Sequence, residues 1–151
     1  MSLIEEVELL RNIPLFCKIE PSKLKLLAFT SERLTFTEGQ DLVVQGDMGD
    51  SAYVLVDGTA DVIVNTPDGP LTVAKVSRNA IIGEIAIICD VPRTATVRAT
   101  SELTALRISK ELFFQLVTEF PQMAVEMMRE LARRLEHTTA QLTEAMSRAK
   151  G

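Results

Sequence analysis

YVLVDGTADVIV, residues 53–64, sets two β-rich apolar runs on either side of Asp57-Gly58. A tight two-residue turn needs positive φ at both central positions, and Asp-Gly supplies it, so the stretch predicts a hairpin. Outward from it, further short β-rich runs between residues 34 and 108 are punctuated by Glu38-Gly39, Gly46-Asp47 and Pro67-Asp68-Gly69-Pro70. Short strands at this spacing predict a β-sandwich or barrel of the jelly-roll kind.

Both flanks are helical in pattern. Residues 4–29 carry apolar side chains at helical spacing, interrupted at Pro14 and restarted at Pro21-Ser22, where Pro and Ser favour a helix start. After residue 109, SKELFFQLVTEF is followed by a break at Pro121 and one uninterrupted helix to about residue 149. The expected organisation is one domain over residues 1–151: a helical lead (1–33), a β-roll (34–108) and closing helices (109–151). The fold class is mainly β with flanking helices.

In the last helix Ala124, Leu131, Thr138 and Ala145 recur every seven residues, as do Met128, Leu135, Leu142 and Ala149. Together they make a seam of the coiled-coil type. A helix of this length extends about 42 Å, more than a small β-domain covers along its own side. The seam therefore predicts a parallel two-fold homodimer, with packing along the helix's own domain as the plainer alternative.

Composition narrows the chemistry. His137 is the single histidine and Cys17 and Cys89 are the two cysteines, too few for an imidazole metal cluster or an iron–sulfur centre. No metal or cofactor is expected, and a serine-type triad could run only through His137. Sixteen Lys and Arg against 21 Asp and Glu give a net charge of −5, opposite to the basic excess of a nucleic-acid-binding domain. No direct nucleic acid contact is expected. Neither a bilayer-length apolar run nor a basic stretch leading into one is present, so the expectation is a cytoplasmic, non-enzymatic protein without a membrane span.

The chemistry-bearing stretch is IIGEIAIICDVPRTATVRA, residues 81–99. After Pro92, alternation puts Ala95, Val97 and Ala99 on one face and Thr96, Arg98 and Thr100 on the other, and Arg93 has the inward parity. An inward guanidinium is costly unless it meets an anion, and its planar fork suits a phosphate or carboxylate. The internal alternative is an ion pair with Glu84. Gly83 permits close backbone approach, and residues 84–88 can form a helical turn whose free N–H groups face an anion. Such a turn with Arg93 makes a phosphate cradle. Glu84, beside a phosphate, would be repelled unless it accepted a hydrogen bond, for example from a sugar hydroxyl, and a phosphate with a ribose means a nucleotide.

GEIAIICDVPRTATV resembles the phosphate-binding cassette of the cyclic nucleotide-binding domain family. QGDMGDSAYVLVDGTADV is similar to that family's glycine-bearing strands, NIPLF to its helical lead, and LARRLEHTTAQL to the dimer helix of bacterial cAMP receptor proteins. The resemblance implies a cassette at residues 83–97 that binds a cyclic nucleotide, cAMP ahead of cGMP. In it Arg93 pairs with the phosphate, Gly83, Ile85 and Ala86 offer backbone at the short helix, and Glu84 takes the ribose hydroxyl. Thr94 and Ala95 complete the cassette, Val62 and Val73 line the base pocket, and Thr138 and Thr139 reach the base, one from each subunit. Asn79 replaces a family glycine and tolerates positive φ. Thr94 leaves base choice open, since its hydroxyl both donates and accepts. A constitutive dimerisation module without nucleotide is the alternative, as is a regulatory piece of a longer transcription factor, channel or kinase. A jelly-roll enzyme would require the missing histidines.

Overall fold

The computed structural model describes residues 2–13 and 16–150. The lead forms α1 (Leu3–Arg11) and α2 (Pro21–Thr30), with Ser2 capping the first and Pro21 opening the second. The expected interruption at Pro14 lies outside the described residues.

Among the described residues, eight strands make two antiparallel four-stranded sheets. One runs in the order β1 (Glu32–Phe36), β8 (Leu103–Ser109), β3 (Ser51–Asp57), β6 (Ile81–Ile82). The other runs β2 (Asp41–Val43), β7 (Thr96–Ala99), β4 (Ala60–Thr66), β5 (Gly69–Val76). Between β6 and β7 lies a short helix, α3 (Glu84–Cys89), and after β8 come α4 (Lys110–Glu119) and α5 (Pro121–Lys150). None of the described helices is long and apolar enough to cross a membrane.

The structure overturns the hairpin expected at Asp57-Gly58. β3 and β4 belong to different sheets, so the dipeptide turns a corner of the sandwich. Gly58 has φ +92, and a Cβ there would meet the Glu102 carbonyl and the backbone of Leu103. This corner is tied to the one between β7 and β8: Thr100 N–H donates to the Thr59 carbonyl at 2.9 Å and Thr59 N–H to Ser101 Oγ at 3.0 Å. The hairpin lies one strand later, at β4–β5, closed where Thr66 pairs with Gly69.

β3 explains why its sequence reads as an apolar run rather than an alternation. Ala52, Val54 and Val56 face a helical layer that includes Leu9, Leu10, Phe16, Leu24, Phe113 and Met123. Tyr53 and Leu55 face the space between the sheets, with Leu42, Val97, Leu103 and Ala105. Both faces are buried, so the helices form a third layer across one side of the sandwich.

Among the described residues of α5, Met123 and Met127 in its first turns join this core. Farther along, Leu135 and Leu142 are 69% and 59% exposed. The long helix thus leaves its own domain with an apolar seam uncovered.

Candidate functional site

A cavity of about 380 Å³ opens where α3 and the segment before β7 meet the second sheet. Its polar side chains are Glu84, Arg93, Thr94 and Arg134.

Arg93 is fixed first through its backbone. Its N–H donates to the Asp47 carbonyl at 2.8 Å, and its carbonyl accepts from Gly46 N–H at 2.9 Å. The side chain then runs inward and is 6% exposed. Nη1 donates to the Gly83 carbonyl at 2.9 Å and Nη2 to the Ser51 carbonyl at 2.8 Å. Gly83 has φ +83, and a Cβ on it would collide with Arg93 Nη1, so both the left-handed turn and the guanidinium's place require glycine. Burial pulls the Arg93 guanidinium below its ordinary value, with Tyr53, Asp50 and Glu84 acting the other way.

The internal ion pair between Glu84 and Arg93 does not form. Glu84 is 5% exposed and accepts instead from Arg134 Nη1 of α5 at 2.7 Å. Arg93 therefore keeps its charge in a buried place with two carbonyl acceptors and, among the described residues, no carboxylate in ion-pair contact. Three of its five N–H donors remain for a ligand. The first N–H groups of α3, from Glu84 onward, lack intrahelical acceptors.

Of the residues expected to bind ligand, Gly83, Glu84, Ile85, Ala86, Arg93, Thr94, Ala95 and Val62 all line this cavity. Val73 does not. The pairing of β4 with β5 shifts register between Val62 and Ile63, so Ala74 comes opposite Val62 and lines the cavity, while Val73 is 52% exposed in the irregularity. Thr138 and Thr139 are exposed on α5 and outside the cavity of the single chain. Thr96, assigned to the solvent face by alternation, is buried because Gln45 N–H, just past β2, donates to its hydroxyl at 2.9 Å. Asn79 does adopt φ 75.

Arg134 escaped the sequence reading because it stands in a helix of mixed charge, and so do most side chains of an exposed helix. Its signal was positional, beside the seam and one turn from Leu131. Val43, Val76 and Ile82 were also missed as cavity-lining residues; they were legible as core.

The family model of the cyclic nucleotide-binding domain matches residues 33–120, more than half of the chain and the whole cassette. The chain belongs to that family. Within it, the cyclic nucleotide-binding domain described here is 31% identical over 110 residues to a cAMP-dependent protein kinase regulatory subunit of Colletotrichum orbiculare, 73% of this chain and 28% of that protein. It is 25% identical over 138 residues to the CRP-like cAMP-activated global transcriptional regulator of Mycobacterium tuberculosis, 91% of this chain and 62% of that protein. The crystal structure of the Thermus thermophilus catabolite activator protein superposes with a TM-score of 0.78 at 25% identity, over 85% of this chain and 61% of that one. The domain thus spans less than two thirds of each of these relatives.

Proposed function

We propose that this domain is a non-enzymatic cyclic nucleotide sensor, cAMP ahead of cGMP, whose occupancy is transmitted through α5. The observation that carries the reading is Arg93: a buried guanidinium with free donors, held by carbonyls and aimed into a cavity beside a short helix start. A buried cation without a carboxylate is a costly arrangement that an anionic ligand relieves. Glu84 supplies the acceptor for a ribose hydroxyl, and the relatives named for cAMP support the base choice.

The seam supports a parallel homodimer as the second half of the device. In a parallel in-register pair, the position flanking the seam faces the flanking position of the partner's next layer. That register sets Arg134 opposite Thr139 of a second copy, bringing a hydroxyl to the mouth of the cavity. Ligand can shift such an assembly only by binding its two arrangements with different affinity.

The decisive test is calorimetric titration of cAMP and cGMP into protein unfolded and refolded to strip carried ligand. Saturable binding of either is expected. Absence of heat with both, in protein shown to be folded, would leave the constitutive dimerisation module standing.

A further inference from the structure

A second cavity, of about 300 Å³, lies between the lead and the break from α4 to α5, and it shares no lining residue with the first. Pro121 makes the break: the residue before a proline is pushed out of the helical region, and Phe120 stands at φ −125, ψ 80. The Phe120 N–H still donates to the Leu116 carbonyl, and its own carbonyl accepts from Met123 N–H, each at 2.8 Å. Ile19, Phe120 and Met123 give the cavity its apolar lining, with Ile19 and Met123 buried in the helical core.

The charged lining is Lys18, Glu119 and Glu126. Glu126 is 8% exposed. Its Oε1 accepts from both Lys18 Nζ and Arg129 Nη1, each at 2.9 Å, while its Oε2 has no partner among the described residues. Glu119 and Gln122, exposed in the same lining, make no side-chain hydrogen bond among the described residues either.

A buried carboxylate that spends one oxygen on two cations and the other on none keeps acceptor capacity for a further donor. Beside it stand a second carboxylate and an amide, so the charge this lining fits is positive. One free oxygen is a single point of attachment. An ammonium, with three donors on a compact charge, suits it, whereas the planar fork of a guanidinium needs both oxygens. The hydrocarbon walls call for an apolar body behind that charge, and the volume is at the small end of small-molecule sites.

We propose that this cavity is a second small-molecule site, taking a primary ammonium on Glu126 with a compact apolar body against Ile19, Phe120 and Met123. It stands independently of nucleotide binding.

The test titrates phenethylamine, and its neutral counterpart phenethyl alcohol, into the isotope-labelled full chain at neutral pH and follows the backbone amides by NMR. The amine is expected to shift Ile19, Phe120, Gln122, Met123 and Glu126 saturably, with a Kd of about 1 mM or tighter. The alcohol should bind at least about tenfold more weakly, because the charge-assisted hydrogen bond is lost, and Glu126→Gln should weaken the amine by a similar factor. Since Glu126→Gln also loosens the strap to the lead, two further variants accompany it. Gln122→Trp, at an exposed lining position, should block the cavity and abolish the shifts. Lys18→Ala, which frees Oε1, should leave the amine's affinity unchanged or raise it. The proposal is overturned by no saturable shift up to about 20 mM amine, by shifts centred on Gly83–Ala86 instead, or by equal affinity for the alcohol. Unchanged binding in folded Glu126→Gln or Gln122→Trp overturns it as well, and so does a loss beyond about threefold in Lys18→Ala.

Discussion

Arg134, on the long helix, donates to the buried carboxylate of Glu84, on the cassette helix, at 2.7 Å. The Glu84 side chain is 7% exposed and that of Arg134 42%, so the acid is desolvated and the base still half in water. The same helix is held one face away by Glu126, which accepts from Lys18 of the lead at 2.9 Å. α5 is therefore strapped at two points, to the lead and to the cassette. The cassette strap is the carboxylate proposed to take the ribose, so under that proposal ligand and α5 would share one group.

Arg134→Ala leaves that carboxylate buried without its cation. Removing one partner of a buried pair costs more than removing both, and exposure of the arginine moderates it to about 1–2 kcal/mol. Denaturant unfolding of Arg134→Ala, Glu84→Gln and the double variant checks this: the double should recover part of the single loss. Additive losses would mean that the pair contributes nothing to the fold.

Arg93→Leu should abolish cyclic nucleotide affinity, by at least about a hundredfold, because a buried charge-assisted contact to phosphate is lost. The Gly83 and Ser51 carbonyls also lose their donor, at a cost of about 1–3 kcal/mol, so the melting temperature falls but the fold persists. Arg93→Lys keeps charge without the fork and should bind weakly. Unchanged titration of Arg93→Leu would sink the phosphate assignment.

The geometry of residues 83–97 was legible because it is written in local chemistry. A left-handed glycine, a helix start and an inward arginine sit within a dozen residues, and alternation alone gave Arg93 its parity. Long-range choices were not. Asp57-Gly58 carries the same local signal whether it closes a hairpin or turns a corner, and only the contact of Gly58 with Glu102 and Leu103 decides. One irregularity in the β4–β5 ladder exchanged Val73 for Ala74, since a single-residue slip reverses every side chain beyond it. Arg134 looked like solvated surface because its partner lies 50 residues away in sequence.

Gly58→Ala tests the corner. The position combines φ +92 with backbone atoms of residues 102 and 103 in the space a methyl would need. Conformational strain at such a site costs about 1–3 kcal/mol, and a rigid clash adds to it. Thermal unfolding should show a clear fall, whereas Gly39→Ala, with the same φ and open space, should lose less. Equal losses would reduce the corner to its backbone angle.

The seam of α5 is expected to make the chain a dimer at micromolar concentration in sedimentation. Leu135→Glu with Leu142→Glu places like charges in apolar layers and should give a monomer that still folds, since both residues are exposed on the single chain, with a melting temperature lowered by the loss of the dimer's stabilisation. A monomer for the unsubstituted chain, with and without nucleotide, would remove the dimer from the proposed mechanism.

The lead strap predicts a pH dependence. The Lys18 ammonium, by hydrogen bond and charge, holds the Glu126 carboxyl below its ordinary value of 4.5, with Arg129 adding to it. Asp50 is likewise lowered from 3.8, chiefly by the Ser51 hydroxyl. A carboxyl depressed by folding binds its proton more readily in the unfolded chain, so its stabilisation is complete above the unfolded value and is lost as pH falls through the folded one. Melting temperature should be flat from neutral pH down to about 5 and then fall. Glu126→Gln should lower the neutral plateau and make the acid fall shallower, while Lys18→Ala should do the same through the other partner. An acid limb of unchanged steepness in both variants would show that the strap does not couple to folding.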